Sequence, residues 1–305
     1  MNPHSAYLRR RFLCWSTVIA VLAIGGAIDR RAVAQTNAPG TLFQWSYGAN
    51  FEGGPDLDAP LVTDRPDFTE ASSTVGVGVT QLEMGYTYTY RDHSGANRGH
   101  SIGEPLFRVG ALANWFEMRL GWNYMHERQD LASSTSRLSG LDDLYLGAKI
   151  GLTPQEGFLP EMALIPQMTV PVGDVDHTAG EVLPGVNWIY GWDINEFLGT
   201  AGSTQINRVL DGTTSAAYYE IAQSWTFGYT LTDRLGAYTE WFALMPSGAD
   251  TDRTQHYLNG GFTYLMSDNV QLDVRAGKGL SGTGDDYFLG TGASLRFGAG
   301  GLLRR

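Results

Sequence analysis

Residues 62–71 read VTDRPDFTEA and place Asp64, Arg65, Asp67 and Glu70 within one short stretch around a proline. Charges this dense cannot sit in lipid hydrocarbon. They suit one of three places: a plug or constriction paired to charges in a pore, the mouth of that pore, or a solvated leader. Further charges follow at Glu83, Arg91, Arg108, Glu117, Arg119, Asp143, Lys149, Asp193, Glu240, Asp273, Arg275 and Arg296. Several stand two apart, as Glu117 with Arg119 and Asp273 with Arg275, so on a strand they share one face. Inside a barrel such a face either lines a hydrated path and sets its ion preference or pairs into a cross-strand ladder that fills the interior. Both readings stand together on the sequence.

Catalytic and metal chemistry are poorly served. His93, His100, His126, His177 and His256 are scattered, mostly between apolar-periodic segments. No HExxH spacing occurs, and Cys14 is the only cysteine, so no zinc–thiolate set is available. The stretch VGDVDH (172–177) holds two acids and a histidine but reads as a solvated loop, and no GxSxG elbow appears. The expectation is therefore a protein that is not an enzyme and needs no metal or cofactor.

The elements that must position these charges are strands. In TQLEMGYTYTYR (80–91), Leu82, Met84, Tyr86, Tyr88 and Tyr90 alternate with polar residues, a period of two. The same alternation runs through 115–124, 143–152 and 270–277. Less regular strands are expected near 104–112, 160–170, 185–195, 197–207, 217–230, 235–245, 255–265 and 286–297. That makes about twelve, each close to the length of a tilted membrane strand. Pro105 and Pro166 remove ladder donors and predict strand starts, bulges or breaks. Connections alternate between short (113–114, 196, 232–234, 267–269) and long (92–103, 125–140, 171–184, 208–216, 246–254, 281–285). Outer-membrane barrels show this alternation, with short turns on the periplasmic side.

The ends and the composition fit export. Arg9, Arg10 and Arg11 precede an apolar run from Phe12 to Ile28, and Ala32-Val33-Ala34 offers a small-residue cleavage site. A permanent anchor is the alternative, since the run approaches spanning length. Lys and Arg number 21 against 32 Asp and Glu, and removing 1–34, with its five arginines and one aspartate, leaves 16 against 31. So acidic a chain is not a nucleic-acid binder. The 39 glycines show no collagen period and belong to turns and strands. A secreted β-sandwich would also alternate apolar and polar residues. Three features favour an all-β, closed, antiparallel up-and-down transmembrane barrel of about 12 strands instead. The apolar faces are rich in Tyr and Trp, as an interfacial girdle requires. The polar faces carry full charges. Glycines recur on those polar faces, where they make room for bulky neighbours.

The segment VTDRPDFTEAS followed by QLEMGYTYTYRD resembles the opening of a bacterial outer-membrane family labelled "putative MetA-pathway of phenol degradation" or "transporter". Further matches are FRVGALANWFEMRLGWNY, GLDDLYLGAKIGL, MTVPVGD, GYTLTDRLGAYTEWF, GGFTYLMSDNVQLDVRAGKGL and DDYFLGTGASLRF. Together they span roughly Leu61 to Phe297. The resemblance implies an outer-membrane barrel that passes small molecules, aromatic ones among them. The chain departs from the pattern of outer-membrane barrels at its end, where GAGGLLRR follows Phe297 rather than the chain ending on the aromatic residue that the assembly machinery reads.

The expected layout is thus a signal peptide (1–34), an N-terminal periplasmic or lumen segment (35–79), the barrel (80–297) and a tail (298–305). Expected partners are outer-membrane lipid, the barrel assembly machinery and a small-molecule solute. The alternative is a closed structural or adhesive barrel without transport.

Overall fold

The computed structural model describes residues 42, 59–92, 95–131 and 133–298. The expected signal peptide, His93 and the tail beyond Gly298 lie outside the described residues.

Fourteen strands form one antiparallel sheet. They are β1 (Thr80–Arg91), β2 (Ala96–Gly110), β3 (Phe116–Gly121), β4 (Tyr124–Leu131), β5 (Ser134–Leu141), β6 (Leu144–Thr153) and β7 (Glu161–Val170). The second half comprises β8 (Leu183–Asn195), β9 (Leu198–Leu210), β10 (Ala217–Thr230), β11 (Leu235–Ser247), β12 (Gln255–Ser267), β13 (Val270–Gly279) and β14 (Tyr287–Phe297). β3 and β4 both pair with β2 and form one interrupted crossing; β5 and β6 form the next. The result is a barrel of twelve crossings. It closes because β1 pairs with β14 on one side (Thr80↔Phe297) and with β2 on the other (Thr80↔Val109). Closure pairs β1 on both sides, the condition for lying in lipid; among the described strands β5 alone pairs on one side only, in the hairpin that continues past the apolar band.

Alternation sets which face meets lipid. On β13, Leu272 and Val274 are exposed outward while Gln271 and Asp273 are buried inward; on β3, Met118 is exposed while Glu117 and Arg119 are buried. All twelve expected strands are present, and the ends differ. β2 begins at Ala96, and the stretch expected as a 125–140 loop is mostly the β4–β5 hairpin. Its residues (YMHERQDL and STSRLSGL) are polar on both faces. The strands continue beyond the apolar band, where apolar alternation is no longer required.

Pro105 does sit in a bulge. The β1–β2 register shifts between Glu83 and Gly85, with Gly103 and Glu104 at positive φ (88° and 35°). The extra residue flips the parity of β2. Glu104 and Arg108 face inward on one side of it; Gly99 and Ser101 are buried on the other, and His100 and Arg98 turn outward. Pro166 leaves the β7–β8 register continuous.

The long loops are tied at the other end. Asp211 accepts hydrogen bonds from the Thr213, Thr214, Thr251 and Asp252 amides and the Thr251 hydroxyl (2.6–3.1 Å), joining the β9–β10 and β11–β12 loops. Burial pushes its carboxyl up, but these donors outweigh it and hold the group below the usual carboxylate range.

Candidate functional site

Residues 61–78 enter the barrel from the short-turn end and leave by the same end. At entry the Leu61 amide donates to the Asp268 carbonyl in the β12–β13 turn (2.8 Å). At exit the Val77 amide donates to Asn114 Oδ1 (3.2 Å) and the Gly78 amide to the Gly110 carbonyl (3.0 Å), beside the β2–β3 turn. Between these points the chain forms a loop in the lumen. Asp64 closes its neck by accepting the Ala71 amide, seven residues on (3.0 Å).

Three anchors hold the loop. The first centres on Asp64, whose carboxylate meets Arg119 (2.6 Å), Lys149 (2.7 Å) and Arg108 (3.2 Å). Glu117 and Glu83 complete the charge around Arg108 (2.8 and 3.1 Å), and Glu70 pairs with Arg119 (2.9 Å). Lys149 also donates to the Ala71 carbonyl (2.7 Å) and Arg108 to the Ser73 carbonyl (3.1 Å). Glu83, Arg108, Glu117 and Lys149 are each 0% exposed. No water-sized path touches them in this state.

The second anchor is Arg65. Its guanidinium meets Glu104 (2.8 Å) and Asp273 (3.3 Å) and donates to the Thr291 carbonyl (3.1 Å). It lies in a slot over Gly85 and Gly292, where an added Cβ would collide with it. Glycine on the lumen face is therefore a space requirement here. The third anchor is Glu240, which accepts the Phe68 and Thr69 amides (both 2.7 Å), the Thr69 hydroxyl and Asn259. Arg275 donates to the Pro66 carbonyl and to Thr87 (both 2.9 Å). Ser72 donates to Glu161 and Thr74 to the Asn114 carbonyl.

Beyond the tip of the loop lies a cavity of about 350 Å³ on the long-loop side. Phe68 is part of its lining and stacks on Phe242 at 4.6 Å; Tyr257 and Phe288 continue the aromatic wall, with Arg275 over the Phe288 ring at 5.4 Å. Asp142, Asp143 and Glu220 lie among the polar groups of the lining.

The sequence-expected residues divide accordingly. Glu83, Arg108, Glu117, Arg119, Lys149, Glu240, Asp273 and Arg275 converge on the loop through Asp64, Arg65, the Pro66 carbonyl, the Phe68, Thr69 and Val75 amides and Glu70. Those with no exposure are packed ion pairs and not the walls of an open path, because the loop fills the space they would line. Asp143 instead accepts the Gly173 and Ala179 amides (3.1 and 2.7 Å) and holds the β7–β8 loop at the cavity rim. Arg296 ties Asn269 and the Ala59 carbonyl at the short-turn mouth (both 2.8 Å). Arg91 ends β1, half-buried, on the long-loop side. Asp193 has the inward parity of Asn187 and Ile189 but is exposed at the end of β8, so its expected place in the lumen is corrected to the rim. Asp67 is half-buried beside Phe68.

Sequence reading missed Glu104, Glu161, Asn187 and the aromatic wall. Glu104 had a signal: Gly103-Glu104-Pro105 interrupts the alternation of β2. The aromatic wall had none, because Phe242, Tyr257 and Phe288 face inward among apolar residues that read as lipid-facing.

Residues 63–297 match the family described as "Putative MetA-pathway of phenol degradation". The chain belongs to that family. The matched region begins at the loop in the lumen and ends with the strand that closes the barrel. Among solved structures the chain is similar to the outer membrane channel from Pseudomonas putida F1, at 15% identity and TM-score 0.56, covering 74% of this chain and 98% of that one. It is also similar to the translocator domain of the autotransporter NalP from Neisseria meningitidis, at 10% identity and TM-score 0.50, covering 73% and 89%. These likenesses show the fold, a bacterial outer-membrane barrel. No curated protein matches the chain.

Proposed function

We propose that the protein is an outer-membrane channel for small solutes, gated by the loop at residues 62–77. A solute enters the cavity from the long-loop side and reaches Phe68. Passage follows when the loop leaves or rearranges and exposes the charged lumen face behind it. The observation that carries this reading is the loop itself. It is held by side chains from many strands and closes the lumen below a preformed cavity, while no strand of the barrel runs through it. A barrel wall needs no such insert for its own closure. The aromatic wall formed by Phe242, Tyr257 and Phe288 suits solutes with an apolar ring, and Arg275 with the rim carboxylates suits polar substituents on it. The P. putida relative is a channel by its description, and the family description names phenol degradation; both agree with this reading.

A closed structural barrel is the second reading, favoured by the complete burial of Arg108 and Lys149. Planar-bilayer currents separate the two. Refolded residues 35–305 should give discrete openings, and deletion of Thr63–Glu70 should raise conductance. Unchanged conductance after the deletion would remove the gating role.

A further inference from the structure

The outer wall carries a cationic row that neither the barrel closure nor the plug uses. Register aligns Tyr90, Arg98, Arg128 and Arg137 across the adjacent strands β1, β2, β4 and β5. One pleat step toward the barrel's middle, about 7 Å along the strands, the aligned residues are Tyr88, His100, His126 and Ser139. One step further they are Tyr86, Ile102, Tyr124 and Leu141. Of these last, Ile102, Tyr124 and Leu141 are 46%, 42% and 42% exposed, as lipid-facing residues are.

The arginines face outward for a structural reason. The bulge at Glu104 flips the parity of β2, and the break between β5 and β6 at Asp142-Asp143 does the same for Arg137. Asp130 then fixes two of them side by side, bonding Arg98 at 2.6 Å and Arg128 at 3.0 Å. The Arg98 guanidinium stands 5.7 Å from the Tyr90 ring centroid. Arg137 is exposed next to Arg128. With Asp130 counted, three arginines leave this row net positive on a chain whose formal charge is −11.

We infer that this row binds the phosphorylated headgroup of an outer-leaflet lipid. Guanidinium groups bind phosphate oxygens in bidentate fashion. The exposed apolar row beside them would meet the acyl chains of the same molecule, so phosphate and hydrocarbon are recognised together on one wall. The row lies toward the β4–β5 hairpin, on the long-loop side that faces outward in barrels of this kind.

Native mass spectrometry of the full-length mature chain in detergent tests this, with bis-phosphorylated lipid A as the probe and heat-dependent gel migration as the check on folding. The wild type should retain one lipid A. R98A/R128A/R137A should retain at least tenfold less. Arg137→Glu alone changes only an exposed side chain and should reduce retention several-fold if the larger variant does not fold. Dephosphorylated lipid should not be retained. Equal retention of phosphorylated and dephosphorylated lipid, or equal retention by wild type and folded variants, overturns the inference. Complete displacement of the lipid by equimolar inorganic phosphate also overturns it, since the site would then be specific for phosphate and not for the lipid.

Discussion

Asp64→Ala is the sharpest perturbation of the plug. Among the described residues Asp64 is the only carboxylate within ion-pair distance of Lys149, and the Ala71 and Ser73 carbonyls also accept from that ammonium. Removing it leaves a buried cation without its counter-charge and opens the neck of the loop at the Ala71 amide. Breaking a buried pair from one side costs about 3–5 kcal/mol. The barrel is held by continuous ladders that do not involve Asp64, so the cost falls on docking of the loop. It corresponds to about a hundred- to several-thousand-fold shift toward the undocked state. Cys14 is the only cysteine, so residues 35–305 are thiol-free, and Ala71→Cys can report undocking through its labelling rate with a membrane-impermeant maleimide. Adding Asp64→Ala should accelerate labelling by at least a hundredfold and raise the open probability in bilayers. A labelling rate within threefold of the parent would refute the assignment of Asp64 as the central anchor.

Three further outcomes are expected. Arg65→Ala strips Glu104 and Asp273 of their shared cation, and single-channel records should show longer openings with no loss of folded barrel on gels. Gly85→Val fills the slot of the Arg65 guanidinium without changing any charge; it should increase thiol labelling at position 71 about as much as Arg65→Ala, whereas wild-type labelling would mean the slot is not needed. The carboxyl of Asp211 is held below its unfolded value of 3.8. Its contribution is therefore complete above that pH and is lost as pH falls through the lower folded value. Limited proteolysis within 211–216 and 248–254 should stay slow from neutral pH down to about 4 and be fast at neutral pH in Asp211→Ala.

Much of this arrangement is legible in the sequence because lipid imposes one rule on every strand. Leu272 and Val274 outside with Gln271 and Asp273 inside follows from a period of two and needs no tertiary knowledge. The charges of the TDRPDFTE segment keep it out of lipid but leave the lumen, its mouth and a solvated leader open; the choice among them needs the ion pairs of Asp64, Arg65 and Glu70. What was not legible lies where that rule lapses. The β4–β5 hairpin continues past the apolar band, so nothing in YMHERQDL marks it as strand. Glu104 reaches Arg65 only because a bulge turns it, and the outward aim of Arg98 depends on the same bulge. Inward Phe242 and Phe288 obey the alternation but invert its usual polarity, because they face a cavity and the side chain of Phe68 rather than water. Asp193 obeys the alternation too, yet it stands at the short-turn end of β8, past the packed stretch of Asn187, Ile189 and Gly191, and is exposed.

The central claim is that movement of the loop opens the channel. A disulfide lock tests it directly. A Cβ placed at Gly191 on β8 would lie 3.6 Å from Ser72 Oγ on the loop, so S72C/G191C can tie the two together. Single-channel recording of this variant should show openings under reductant and none once mass spectrometry confirms the cross-link. Openings that persist in the cross-linked form, or no openings in either form, would contradict the account.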